Sequence, residues 1–186
     1  MLPLQVHLTL PPWLADVADV NRRYTTDEER VALAIGLSRR NVEEASGGPF
    51  GAAVFNLHSG RLVAAAVNRV VPQACSVAHA EMLAIMIAQQ RLGRFRLNTD
   101  GGRYALATSA QPCCQCYGAI VWAGIDELLI GARSADVEEL TEFDEGPLPE
   151  NWAGELTARG IAVRGDILRE EARQILQRYG ASGPAY

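Results

Sequence analysis

A chain of 186 residues with 48% hydrophobic residues can bury one good core, and nothing in its length calls for a second domain. Its formal net charge is −5, and its 17 basic residues are all arginines, scattered with no run longer than two. That leaves no electrostatic footprint for a nucleic-acid polymer and favours a small-molecule substrate. The first basic residue is Arg22, and Pro3, Pro11 and Pro12 interrupt the apolar residues ahead of it, so we expect no signal peptide and a cytoplasmic protein. The uncharged window from Tyr104 to Ile125 contains Pro112, two glutamines and three cysteines, which suits a buried strand and helix better than a membrane span. Of the four cysteines, three crowd into 113–116, a pattern that fits a metal site in a reducing compartment better than a disulfide framework. Cys75, the odd one, reads as a small buried hydrophobe.

In chain order, residues 1–24 carry three prolines and no period, and read as an extension wrapped on the surface. Thr25 with Glu28 predicts a capping box, and Val31, Ile35, Ser38, Val42 and Ala45 share one face of a first helix that stops before Gly47-Gly48. Gly51–Leu57 and Arg61–Val67 are short apolar runs joined by His58-Ser59-Gly60, the pattern of a hairpin, with His58 solvated at the turn. Asn68 leaves the second strand, and Pro72 delays the next helix. Ala78–Arg91 is predicted helical, Arg103–Ser109 a third strand, and Pro112 opens the next helix where its missing N–H costs nothing. Glu127–Gly131 is a fourth strand, followed by a helix from Ala135 to about Thr141 and a breaker-rich acidic loop at 143–147, whose default reading is a solvated connection. Gly160–Arg164 gives a fifth strand. Asp166 is the expected cap of a last helix, with Leu168, Ala172, Ile175, Leu176 and Tyr179 on one side, ending at Gly180. The order α-β-β-α-β-α-β-α-β-α gives a mixed five-stranded sheet between two helical layers, a three-layer α/β/α fold, with one domain at 25–180 and a tail at 181–186.

The chemistry concentrates in two stretches. Cys113 and Cys116, three apart at a helix start, can grip one metal ion from one side, and the helix N-terminus favours their thiolates. His79 is the candidate third ligand. Alone it reads as a buried polar residue at a helix start, but beside Glu81 and the cysteine pair that reading weakens. Three protein ligands leave the fourth tetrahedral position of Zn²⁺ open to water, as in catalytic rather than closed structural sites, and Glu81 would be the carboxylate that moves protons.

His79-Ala80-Glu81 followed by Pro112-Cys113-Cys114-Gln115-Cys116 is the order and spacing that marks zinc nucleobase deaminases. On these residues the chain resembles the cytidine-deaminase-like fold and, within it, the bacterial guanine deaminase branch, which includes aminotriazine-deaminating members. Gly47-Gly48-Pro49-Phe50-Gly51-Ala52 is similar to the loop and strand that line the family's pocket. Asn68 matches the position that hydrogen-bonds the base, and Gly118-Ala119-Ile120 with Trp122 match the helix carrying the second half of the zinc site. The stretch Phe143-Asp144-Glu145-Gly146-Pro147 resembles one particular to a subset in which a second glutamate, here Glu145, joins the proton shuttle. Gln111, Cys114-Gln115 and Cys75-Ser76-Val77 depart from the commoner family residues.

The resemblance implies one zinc per chain, held by His79, Cys113 and Cys116, with Glu81 and Glu145 catalytic. It implies substrate contacts from Asn68, Phe50, Ala80, Trp122 and Tyr186, and a homodimer in which the C-terminal tail covers an active site. The expected reaction is deamination of guanine to xanthine, with cytosine, a nucleoside or an s-triazine such as ammeline as open alternatives. A tRNA-editing deaminase should show a basic surface, which this acidic chain lacks. A zinc-stabilised or redox module needs only the Cys113/Cys116 pair and leaves Glu81 unexplained.

Overall fold

The structure, a computed structural model, describes residue 2 and residues 4–181. Its elements in order are α1 (Leu14–Val17), α2 (Asp27–Glu43), β1 (Gly51–Asn56), β2 (Arg61–Val67), α3 (Val70–Gln73) and α4 (Ala80–Leu92). A 3-10 turn at Leu97–Asp100 leads into β3 (Tyr104–Ala110), α5 (Cys114–Ala123), β4 (Glu127–Ala132), α6 (Ser134–Leu140), α7 (Trp152–Ala158), β5 (Ala162–Arg164) and α8 (Arg169–Gly180).

The strands form one mixed sheet in the order β2-β1-β3-β4-β5. β1 pairs antiparallel with both β2 and β3, while β3–β4 and β4–β5 are parallel. Side chains alternate across the sheet with the two-residue period of extended backbone. Ala52, Val54, Leu106, Leu128 and Ile130 join the core under α4, α5 and α7, whereas Ala53, Phe55, Ala105, Ala107 and Leu129 join the core under α2, α6 and α8. A register shift between Val54 and Phe55 leaves Val63 as the extra residue of β2, which puts Val63 and Ala64 on the same face. Small residues on the sheet let the helices sit close. A Cβ on Gly51 would lie 2.3 Å from the Ala34 carbonyl oxygen, so a glycine is what allows α2 to lie against the start of β1.

The five expected strands and five expected helices occur in the expected order and form the sheet and two helical layers, and the short helices α1, α3 and α7 are additional to it. The differences are local. The capping box of α2 uses Thr26 and Glu29, one residue later than expected, and Thr25 adds its own N–H and hydroxyl to the same Glu29 carboxylate. With two threonines in a row, the pattern permits either frame, and only the extended backbone of Thr26 selects one. Asp166 does not cap α8. Its backbone is left-handed at φ 63, its carboxylate is held by the Arg133 guanidinium, and Leu168 occupies the N-cap position. The extension at 1–24 is more than a surface wrap, since Leu8 and Leu10 pack on the core beside α4, and α1 with Trp13 packs on the opposite core. Pro72 lies inside the short α3, in which no residue is buried. Among the described residues, no helix is long and apolar enough to cross a membrane.

Candidate active site

The register of the sheet brings three chain ends together. Gly51 opposes Val67 and Ala52 opposes Thr108, so Phe50 at the entry to β1, Asn68 at the exit of β2 and Gln111 beyond β3 reach one edge. α4 and α5 both start at this edge, beginning at Ala80 and Cys114, and their first turns complete a cavity of about 290 Å³. That volume sits at the small end of ligand pockets, roughly 300–1,000 Å³.

His79 and Cys113 occupy the N-cap positions of α4 and α5, and neither side chain caps its helix. Serine, threonine or an acidic residue would ordinarily sit there and contribute about 1 kcal/mol. Leaving the imidazole and thiol free of that bond releases them toward each other. Cys113 Sγ and Cys116 Sγ each lie 3.5 Å from His79 Nδ1, and the three ligand atoms all lie within 4.8 Å of one another. A tetrahedral ion with bonds of roughly 2.0–2.1 Å to nitrogen and 2.3 Å to sulfur separates such atoms by about 3.6 Å. The donor set and its spacing therefore fit zinc.

The gathered ligands and acids shift one another strongly. The hydrogen bond from Cys116 holds the Cys113 thiol down at about 4, with help from His79, while the same bond and burial push Cys116 up. Burial opposes the charge on His79, but its bond to Cys113 and the neighbouring acidic groups outweigh it, and the imidazole rises. Glu81 is 6% exposed and, among the described residues, is bonded to no arginine. Its Oε1 accepts from Thr108 Oγ1 at 3.0 Å and its Oε2 from Cys116 Sγ at 3.5 Å. Burial, and the charge of Cys113, raise its pKa. Glu145, 8% exposed, lies in the same cavity, where burial and then the charges of Cys113 and Glu81 push it up to about 8. Its backbone oxygen accepts from the Cys114 N–H at 3.0 Å, which ties the acidic loop to the first residue of α5. Glu145 is thus a buried member of the site and not part of a solvated connection.

Asn68 and Phe50 line the cavity as expected. Phe50 packs against Phe143 with ring centroids 5.4 Å apart. Two expected substrate contacts fall elsewhere. Trp122 is 76% exposed and absent from the cavity wall. It follows Cys116 by six positions, about 240° around a helix, so the turn that aims Cys116 inward aims Trp122 out. The Ala80 methyl is wholly buried in the core under α4 and does not line the cavity. Tyr186 lies outside the described residues. The sequence alone gives no role to Thr108, which with Ser109 forms a polar pair in an Ala-rich strand, or to Phe143, an aromatic in an otherwise acidic loop. In each case a residue out of keeping with its neighbours was the available signal.

Comparison with known proteins follows the same lines. A sequence profile of the cytidine and deoxycytidylate deaminase zinc-binding region matches residues 24–132. The guanine deaminase of Bacillus subtilis (strain 168) is 35% identical over 112 residues, 60% of this chain and 67% of that protein. Among solved structures, a guanine deaminase from Nitrosomonas europaea superposes with a TM-score of 0.91 at 46% identity, covering 97% of this chain and 99% of that one. A structure in complex with 8-azaguanine matches with the same score and identity, covering 96% of this chain and 98% of that one. With the matched profile spanning more than half its length and a zinc-fitting donor set beside a buried acid, the chain belongs to the cytidine and deoxycytidylate deaminase zinc-binding family and is a zinc-dependent hydrolytic deaminase.

Proposed function

We propose that the protein is a guanine deaminase, adding water at the amine-bearing carbon of guanine and releasing xanthine and ammonia. The observation that carries this reading is the convergence of two buried acids, Glu81 and Glu145, on one cavity with the His79, Cys113 and Cys116 donor set. The 8-azaguanine complex of a similar structure supports the choice of base. Zinc bound by the three donors would supply Lewis acidity, lowering the pKa of water from 15.7 to roughly 7. Glu81 accepts the proton of the attacking water and returns it to the base, a role suited to a buried carboxyl oriented by Thr108 and free of any arginine. Glu145 lines the same cavity and hands a proton to the departing amine. The Asn68 amide binds the polar edge of the ring, while Phe50, backed by Phe143, offers it a flat surface.

The same reading takes the substrate as a free base and not a polymer, in keeping with the net charge of −5, and places the protein in the cytoplasm as one deaminase domain. It also takes the protein as a homodimer. Helix α5 carries no charged residue and is largely apolar, yet only Cys116, Ile120 and Ala123 are buried, so its outer face around Trp122 is suited to a second copy.

Ammonia release measured over free bases, nucleosides and aminotriazines tests the substrate. Guanine should be turned over fastest, and an enzyme inert on guanine but active on cytosine or ammeline would overturn the reading. Metal analysis of Cys113→Ala should show zinc lost, and full retention of zinc and activity would remove Cys113 from the ligand set.

A further inference from the structure

The residues ahead of Tyr24 lie outside the family-matched region at 24–132, yet they are bonded into the wall of the cavity. From the extension inward, Trp13 Nε1 donates to Ser46 Oγ at 3.2 Å, and Ser46 Oγ donates to Asn41 Oδ1 at 2.7 Å. The Asn41 amide nitrogen then donates twice, to the backbone oxygens of Gly48 at 2.8 Å and Asn68 at 2.9 Å. The Ser46 hydroxyl has the Asn41 carbonyl as a second, longer neighbour at 3.4 Å, and Asn41 Oδ1 is the nearer acceptor. The alternative orientation of the Asn41 amide would set its oxygen against two carbonyls, so the donors fix it. Asn41 is fully buried and Asn68 is 2% exposed. Water therefore does not replace any link at the inner end, where a hydrogen bond is worth most.

The turn between these residues is pressed tight. A Cβ on Gly47 would lie 2.0 Å from the Asn68 carbonyl oxygen and 2.7 Å from the Asn41 amide nitrogen. A second strap holds the chain just beyond Asn68. The Thr9 N–H donates to Gln73 Oε1 at 3.2 Å, Gln73 Nε2 donates to Thr9 Oγ1 at 3.1 Å, and Arg69 Nε donates to the Thr9 carbonyl at 3.2 Å. Arg69 also donates to the Ser46 carbonyl, which joins the two straps. Between them, the backbone at Asn68 is held by its carbonyl to Asn41 and by its N–H to the Phe50 carbonyl at 3.0 Å. Its side-chain oxygen accepts from the Val70 N–H at 3.2 Å, so the placement of the strapped segment sets where the Asn68 amide points.

We propose that Trp13, Ser46 and Asn41 form a positioning relay for Asn68, through which the N-terminal extension sets the affinity of the pocket for its base. The proposal rests on the reading of Asn68 as the base-binding residue. None of the three relay residues lines the cavity, so they act through Asn68 and not on the substrate. Loosening the relay should weaken binding and leave the proton transfers at Glu81 and Glu145 alone.

The test is a set of double-mutant cycles against Asn68→Ala, run on whichever of guanine, cytosine and ammeline the wild-type enzyme turns over fastest. An error in the choice of guanine then shows in the wild type and leaves the relay decided all the same. Trp13→Phe keeps the ring at a half-buried site and removes one donor, and KM should rise about threefold. Asn41→Asp removes both inner donors and should raise KM more than about tenfold. In both variants kcat should change by less than about twofold, with zinc content at the wild-type level, a split that a general loss of structure would not give. In the Asn68→Ala background both effects should vanish. An unchanged KM in Trp13→Phe, or effects that remain fully additive with Asn68→Ala, would overturn the relay, even if Asn41→Asp fails to fold.

Discussion

Two regions of the molecule bury an acid and do opposite things with it. In the cavity, Glu81 is 6% exposed and meets a hydroxyl, a thiol and no guanidinium, and burial raises its pKa. Behind the opposite face of the sheet, Asp136 on α6 is 1% exposed, accepts the Arg133 N–H, and is forked by Arg169 at 2.6 and 2.7 Å with Arg173 close beside. The Arg169 bonds lead the causes that hold its pKa well below the ordinary carboxylate range. Both side chains are hidden from solvent, but burial leads at Glu81, deep under the sheet edge, whereas at Asp136 the bonds of part-exposed arginines outweigh it. A buried carboxyl with no guanidinium on it keeps its proton within reach and suits proton transfer, whereas one ringed by arginines is fixed as an anion and suits only structure.

The sharpest way to break this comparison is to neutralise each acid in turn. Glu81→Gln keeps the shape and removes proton transfer, so kcat should fall on the order of 10²–10⁴, with zinc retained and the melting temperature no lower than wild type. Retention of more than about a tenth of wild-type turnover would point to another base. Glu145→Gln should cost less, on the order of tenfold to a hundredfold in kcat, because Glu81 stays in place beside the donor set. A kcat equal to wild type would return the acidic loop to the status of a solvated connection.

How much of this was readable beforehand follows from the range of each signal. His79, Glu81, Cys113 and Cys116 declare themselves because two short spacings encode their joint chemistry, and the structure brings their atoms together. The succession of strands and helices along the chain, and hence the layers, follows from periodicity, which is local. Glu145 is harder. Its loop is rich in breakers and acids, and only the contact between its backbone oxygen and the Cys114 N–H turns that loop into a wall. The misplacement of Trp122 was avoidable from the helical period alone, since a residue six positions past an inward Cys116 faces away. The relay from Trp13 to Asn68 was not readable by any local rule. Its partners are separated by 33 residues at the outer link and 27 at the inner one, and nothing in either stretch names the other. The missed helix α7 has a single buried residue, Leu156, and so hardly any amphipathic pattern to find.

On the structural side of the comparison, Asp136→Asn should leave kcat and KM at wild-type values and lower stability. Removing one partner of a buried ion pair costs about 3–5 kcal/mol when the other is left dry. Arg169 and Arg173 can turn to water, which reduces the loss to about 2 kcal/mol, or about 5 °C in melting temperature for a chain of this size. Acid then offers the smaller and more specific test. The folded-state pKa of Asp136 is depressed, so the stability it contributes is fully present above the unfolded value, about 3.9, and is lost as pH falls toward the folded value. By pH 3 the wild type should have given up about 1 kcal/mol of it, while the asparagine variant has none to lose. Zinc release and the other carboxylates titrate in both proteins and cancel in the difference. The gap between wild type and Asp136→Asn, measured by denaturant melts from pH 7 down to pH 3, should therefore hold steady to about pH 5 and then narrow by about half. A gap that stays constant across the whole range would mean that Asp136 is not held as an anion by its arginines, and the contrast with Glu81 would fail at its structural end.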